Sequence, residues 1–322
     1  MANIQNMKHN RQITIIMVTA VLAIVLSGCN REDVTIYAPI ETYPNDTILE
    51  QLADKRAMII IAHDDDMCAM SGTISLLNKK GWEIQVLSTP INPERDSAHQ
   101  QACQKLLDKV TFFDFRNEKF RIDTANVTYN AIPKNQFHKT FNVELLAEKI
   151  IQSVNSFNPS VIFTLDNEIG GYGHPGHVVV SQTILDLAKT HRIHPQYIYQ
   201  SVYTDHMETT IMNRHSKRMK SWGFQGDGWE NAKKVYAVTG MPEPSVQINI
   251  ISEAKSKMEY LMSYNERERK TMGFFIPAFE EYSAEDYFTI FNREFFRIIE
   301  IKNENFDIGL DREISNSFIE LE

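Results

Sequence analysis

The sequence predicts a doubly wound α/β fold: a mostly parallel sheet with helices on both faces. Three observations carry that prediction. Apolar runs rich in Ile, Val and Phe alternate with segments of helical period from Arg56 to Thr204, the β-α-β-α-β order that builds parallel sheets. Gly, Pro and Asn punctuate the joints between them. The densest polar clusters, "AHDDD" and "DNEIGGYGHPGH", stand directly after apolar runs, and ligands bind such sheets at the carboxyl ends of strands.

The elements follow in order. "RAMIIIAH" is a continuous apolar run and predicts a central strand. "SGTISLLNKKG" predicts a helix closed by Gly81. "WEIQVLSTP" predicts a second strand, "ERDSAHQQACQKLLDK" a helix with Ala and Leu at helical spacing, and "VTFFDF" a third strand. "NVELLAEKIIQSVNSFNP" predicts a helix ended by Pro159, and "SVIFTLDN" a fourth strand. "GHVVVSQTILDLAKTH" and "QYIYQSVYT" complete the alternation as helix and strand. The polar segments 117–140 and 209–230 are expected to be long loops covering a site. "SEAKSKMEYLMSYNERERK" predicts one further helix, and the acidic, aromatic-rich tail after it has no clear period.

The chain has 322 residues, 43% hydrophobic and 23% charged, enough for a sizeable core. A net charge of -9 with a pI near 5.6 argues against a nucleic-acid partner. Lys8 and Arg11 precede the apolar run "ITIIMVTAVLAIV", which ends in "LSGC". That order resembles a bacterial lipoprotein leader: a basic region, a short apolar core and a lipobox. It implies cleavage before Cys29 and lipidation of its sulfur, which anchors the chain to a membrane outside the cytoplasm. Asn30 is not the aspartate associated with inner-membrane retention, so a cell-envelope site at the outer membrane is expected. The expected division is a leader over 1–29, a tether over 30–54 and one domain over 55–322. Cys68 and Cys103 lack metal-type spacing and are expected to be small buried hydrophobes.

The chemistry lies in the two clusters. Three consecutive aspartates beside a histidine repel one another, so either a cation sits among them or they form a solvated turn. The second cluster offers His174 and His177 three residues apart in a glycine-rich turn, with Pro175 suited to a first helical turn. Together they supply two imidazoles and a carboxylate for one ion, with a carboxylate and an imidazole to spare. Catalytic zinc takes three protein ligands and keeps a position open. The remaining His99, His138, His191, His194, His206 and His215 show no partner spacing and are expected at the surface. Trp222 and Trp229 flank "GFQGDG" and are expected to pack.

"AHDDDM…SGT" and "GGYGHPGH" resemble the paired signatures of the PIG-L/LmbE-type zinc-dependent N-deacetylases, over roughly Ala57 to Tyr264. Weaker matches fall at Arg95, "KKVYAV", Lys257, Leu261 and Tyr264. The resemblance implies a Rossmann-like fold, a zinc ion, or another divalent metal, and an N-acetylglucosamine-type substrate. It implies His63 and His177 as metal ligands, His174 as the oxyanion or general-acid group, and Arg95 as a substrate contact. Counting forward from His63 makes Asp65 the base and Asp66 the third ligand. Counting back from "SGT" makes Asp64 the base and Asp65 the ligand. The forward count is preferred, because His-x-x-Asp spacing fixes metal geometry while a helix start absorbs a deletion. The chain departs from the family pattern at Asp64, in the place of Pro, and at Met67, in the place of Glu. It departs again at Gly176, in the place of Asp, and where Glu-Arg replaces Ser-Gln near the end of the last helix. The expected activity is hydrolysis of an amino-sugar N-acetyl group. The alternatives are an amidase acting on another N-acyl substrate, or a surface glycan-binding lipoprotein that has lost the chemistry.

Overall fold

The structure, a computed structural model, describes residues 31–104, 106–115, 119–123 and 130–301. The leader and Cys29 lie outside the described residues. Among those residues no helix is long and apolar enough to cross a membrane.

Among the described residues seven strands form one sheet: β1 Arg56–Ile61, β2 Glu83–Ser88, β3 Lys109–Phe112, β4 Val161–Leu165, β5 Tyr197–Val202, β6 Val246–Asn249 and β7 Arg293–Glu300. Their order is β3-β2-β1-β4-β5-β7-β6. Strands β1 to β5 run parallel, and β7 is antiparallel to both β5 and β6. Ile59 of β1 sits between Val86 of β2 and Phe163 of β4, all of them fully buried. A central strand covered on both faces requires this unbroken apolar run.

The principal helices are α1 Ser71–Lys79, α2 Pro93–Cys103, α3 Val143–Phe157, α4 Pro175–Lys189, α5 Asp205–Ser221, α6 Gly228–Tyr236, α7 Ala254–Met262, α8 Glu266–Met272 and α9 Ala284–Ile290. The chain winds from β1 outward to β3, then returns to the far side of β1 with β4. Because crossovers are right-handed, that reversal puts α1 and α2 on one face and α3 and α4 on the other. Helices α3 and α4 pack on each other, and α1 and α2 each pack on α7. The reversal point lies between β1 and β4, where doubly wound sheets open a crevice.

The ends of α1 and α3 follow the sequence. Gly81 takes φ +78 just beyond α1, and Asn158 takes the left-handed conformation ahead of Pro159. Several expectations are corrected. The segment expected to be a tether is packed from Arg31 onward: Val34 and Leu49 are buried, Glu32 pairs with Arg214, and Tyr199 donates to Asp46. The expected loop over 209–230 is largely the helices α5 and α6. On α5 the polar surface hides an apolar stripe of Met207, Ile211 and Met212. The single helix expected after Ser252 is two, α7 and α8, because Asn265 caps a new start by accepting the Glu268 N–H. The unassigned tail supplies α9 and β7. His99, expected at the surface, is fully buried. Cys103 is buried, Cys68 half-buried, and both are free thiols.

Glu208 ties α5 to its neighbours. Its buried carboxyl accepts from the Trp229 indole at 3.1 Å and from the Met241 N–H at 2.9 Å. Burial pushes its pKa up to about 7 from 4.5. A raised folded-state pKa means that the native state binds the proton more tightly, so stability present below pH 4.5 is lost as pH rises through about 7. Glu208→Gln removes this titration. The stability of the wild type relative to Glu208→Gln is expected to fall by about 3 kcal/mol across that window in denaturant unfolding. A flat difference would show that the carboxyl does not titrate there.

Candidate metal centre and active site

The three aspartates open a 3-10 turn, Asp64–Ala69, directly after β1. With three residues per turn, consecutive side chains leave the axis about 120° apart. "DDD" therefore sends three carboxylates in three directions.

Asp64, fully buried, turns to Arg95. The guanidinium donates to both its oxygens, through Nε to Oδ2 at 3.1 Å and through Nη2 to Oδ1. Asp66 folds back and accepts the His63 N–H at 2.9 Å. Its Oδ1 lies 3.0 Å from His177 Nε2, and its Oδ2 lies 3.6 Å from His63 Nδ1. His63 Nδ1 and His177 Nε2 are 2.9 Å apart. Asp65 is left between: it reaches Arg95 Nη2 at 3.3 Å and lines a pocket with Asp66 and His177. The structure thus sets Asp66 against the two imidazoles and pairs Asp64 with Arg95.

His177 stands in the first turn of α4. Its Nδ1 lies 2.9 Å from the Gly170 carbonyl, which accepts from it and leaves Nε2 for the cluster. That carbonyl is fixed by Asp166, a fully buried residue just beyond β4. Asp166 Oδ1 accepts from the N–H groups of Glu168, Ile169 and Gly170, and Oδ2 from that of Gly171 at 2.6 Å. Gly170, at φ +64, could carry no side chain: a Cβ would lie 2.8 Å from that of His177. His174 caps α4, its Nδ1 accepting the Gly176 N–H at 3.2 Å.

The donor set fits a zinc-like ion. Donors at about 2.0–2.1 Å from a tetrahedral ion lie about 3.3 Å from one another, and the three separations among His63, Asp66 and His177 bracket that figure. The ligand atoms of His63, His174 and His177 also lie within 4.8 Å of one another. His174 Nδ1 is already taken by Gly176, so the Asp66 set is the tighter of the two. Two imidazoles with one carboxylate suit zinc rather than calcium or magnesium, which favour oxygen ligands.

Electrostatics follow from burial. Burial works against the Asp66 charge, yet His177 and His63 outweigh it and hold the carboxyl well below its usual range. Burial pushes the His174 imidazole well below its ordinary value, helped by His63 and His177. Burial, with the Asp65 charge beside it, pushes the Asp64 carboxyl up to about 6 against the pull of Arg95.

Arg95, which the resemblance implies as a substrate contact, is surrounded by acids. Besides Asp64 and Asp65 it meets Glu268 at 3.2 Å. Tyr264 donates to the Asp64 carbonyl at 3.0 Å, and its hydroxyl meets His99 Nδ1 at 3.0 Å. Glu294 of β7 accepts the Gly72 and Thr73 N–H groups at 2.9 and 2.7 Å and pairs with Lys257. It thereby pins the start of α1, where a carboxylate suits the helix dipole. His99, Glu268 and Glu294 were missed as supports because each acts across the fold. Asp166 acts on its own loop and left a local signal, an acid four residues before Gly-Gly at a strand end.

A cleft of about 540 Å³ opens beside His63 and His174, walled by Phe115, Phe120, Phe141 and Arg121. A smaller apolar pocket of about 80 Å³ adjoins Asp65, Asp66 and His177.

The family described as "PIG-L: GlcNAc-PI de-N-acetylase" matches residues 58–188. No curated protein matches the chain. Among solved structures, an N,N'-diacetylchitobiose deacetylase from Pyrococcus horikoshii is similar at 13% identity, over 81% of this chain and 92% of that one, with a TM-score of 0.44. The 4-carboxy-2-hydroxymuconate hydratase GalB from Pseudomonas putida is similar at 13% identity, over 78% and 98%, with a TM-score of 0.45.

Two outcomes are expected. Arg95→Ala leaves Asp64 and Glu268 buried without their cation, and should destabilise the domain by about 3 kcal/mol in denaturant unfolding. A residue used mainly for substrate would raise KM and leave stability intact. Asp166→Ala frees four N–H groups and the Gly170 carbonyl. Zinc affinity, measured against a competing chelator, should fall about 10–100-fold.

Proposed function

We propose that the protein, whose residues 58–188 match the family described as GlcNAc-PI de-N-acetylase, is a zinc-dependent hydrolase removing the N-acetyl group of an N-acetylglucosamine-type amino sugar. The observation that supports this best is the trio His63, Asp66 and His177 with Asp65 beside it and uncommitted to the cluster. Zinc held there supplies a polarised carbonyl and an acidified water. Asp65 takes the proton released as the C–O bond forms, and Arg95 Nη2, 3.3 Å away, keeps its carboxylate oriented. His174, neutral because it is buried, donates from Nε2 to the oxygen that gains charge as the amide carbonyl is attacked. The C–N bond then breaks, and the proton held by Asp65 passes to the leaving amine. The aromatic cleft with Arg121 offers flat faces and a donor for the sugar. The leader ending at Cys29 would set this activity at the cell envelope, where amino-sugar polymers are exposed.

A soluble form beginning after Cys29 tests the reading. It is expected to bind about one zinc per chain, as in other three-ligand catalytic sites, and to release acetate from N-acetylglucosamine oligomers. Asp65→Asn should retain the zinc and lose about 10²–10⁴-fold in kcat, whereas His177→Ala should lose both. A protein that holds zinc and binds the oligomers without releasing acetate would favour the glycan-binding alternative.

A further inference from the structure

The apolar pocket beside the centre is larger than an acetyl group needs. It is lined by Leu165, Val202, Met212, Met241, Met272 and Phe275, and it touches Asp65, Asp66 and His177. A carbonyl held at the donor trio therefore has this pocket next to it. No ammonium or guanidinium lines it, and its polar contributors beyond the two aspartates and His177 are hydroxyls and the Cys68 thiol. Its surface is mostly apolar, whereas the 540 Å³ cleft, with Lys119, Arg121 and Asp114 among its walls, suits the hydroxyl-rich face of a sugar.

The pocket measures about 80 Å³, against about 150 Å³ for an apolar cavity that takes benzene. A methyl group fills a minor part, while a chain of three carbons beyond the carbonyl fills most of it. Three methionines in the wall give an adaptable, unbranched lining of the kind that moulds to alkyl chains. Beyond Ala69, Val202 and Phe275, which belong to both, lies a second chamber of about 60 Å³ that has Lys257 and Glu294 among its walls. That buried ion pair makes a poor seat for a longer alkyl tail.

Building on the hydrolase reading above, we propose that this pocket is an acyl-chain site. The preferred substrate is an amino sugar carrying a linear N-acyl group of about four carbons, in preference to acetyl. Water adds across the amide: the carbonyl carbon gains oxygen, the C–N bond breaks, and the products are butyrate and the free amine. No further reactant is required.

The test compares N-butyryl- with N-acetylglucosamine oligomers on the zinc-loaded protein. In parallel, calorimetry measures the binding of both to Asp65→Asn, which reads the pocket without turnover. Two further buried methylenes should raise kcat/KM and affinity about tenfold or more for the butyryl substrate. Ala69→Leu, or the milder Ala69→Val if the first fails to melt cooperatively, fills the pocket and should reverse the order of the two substrates. Acetyl turnover equal to or faster than butyryl in the wild type would overturn the acyl-chain site and leave the hydrolase reading standing. Release of neither acid would overturn both.

Discussion

Everything at this centre depends on one geometric constraint: three adjacent carboxylates must not share a direction. A β-strand would send Asp64 and Asp66 to the same face, whereas a helical turn spreads consecutive side chains around its axis. The 3-10 turn after β1 separates them by a third of a revolution each. One carboxylate meets an arginine, one meets two imidazoles, and one is left between them. Acidic repulsion is thereby converted into three separate tasks.

The supports extend that logic outward. Asp64 is fully buried, and a buried carboxylate is tolerable only with a cation and hydrogen bonds. Arg95 supplies the cation, while Glu268 and Asp65 balance the remaining guanidinium edges. Tyr264 holds the Asp64 carbonyl from the turn between α7 and α8, so a residue far along the chain fixes the turn after β1. On the β4 side Asp166 does the equivalent for the Gly170 carbonyl and, through it, for His177. Both supports bear on the crevice between β1 and β4, where the winding reverses.

What the sequence discloses tracks the range of the interaction. The parallel strands were legible because a doubly covered strand needs an unbroken apolar run, as "MIII" and "VIFTL" show. The two clusters were legible because their groups are adjacent in sequence. Helix α5 was not, since its buried stripe is diluted by charges on a long exposed face. His99 looked like an ordinary polar residue on α2, and only the fold brings Tyr264 to its ring. Strand β7, with Glu294 at its start, escaped because its partners β5 and β6 stand on either side of it and neither is near it in sequence. Charge pairing across a fold leaves no periodic trace.

The glycine at position 176 bears on how His174 works. Where the family pattern has an aspartate, this chain has a residue whose Cβ would sit 3.1 Å from the His174 ring and 3.5 Å from that of His63. The glycine admits both rings, and its own N–H takes the place of an acidic partner at His174 Nδ1. An N–H at Nδ1 demands a lone pair there, so the neutral ring carries its proton on Nε2. A carboxylate in that place would have favoured the opposite tautomer or the imidazolium. With burial holding the ring neutral as well, the local chemistry leaves Nε2 as the donor of the His174 ring.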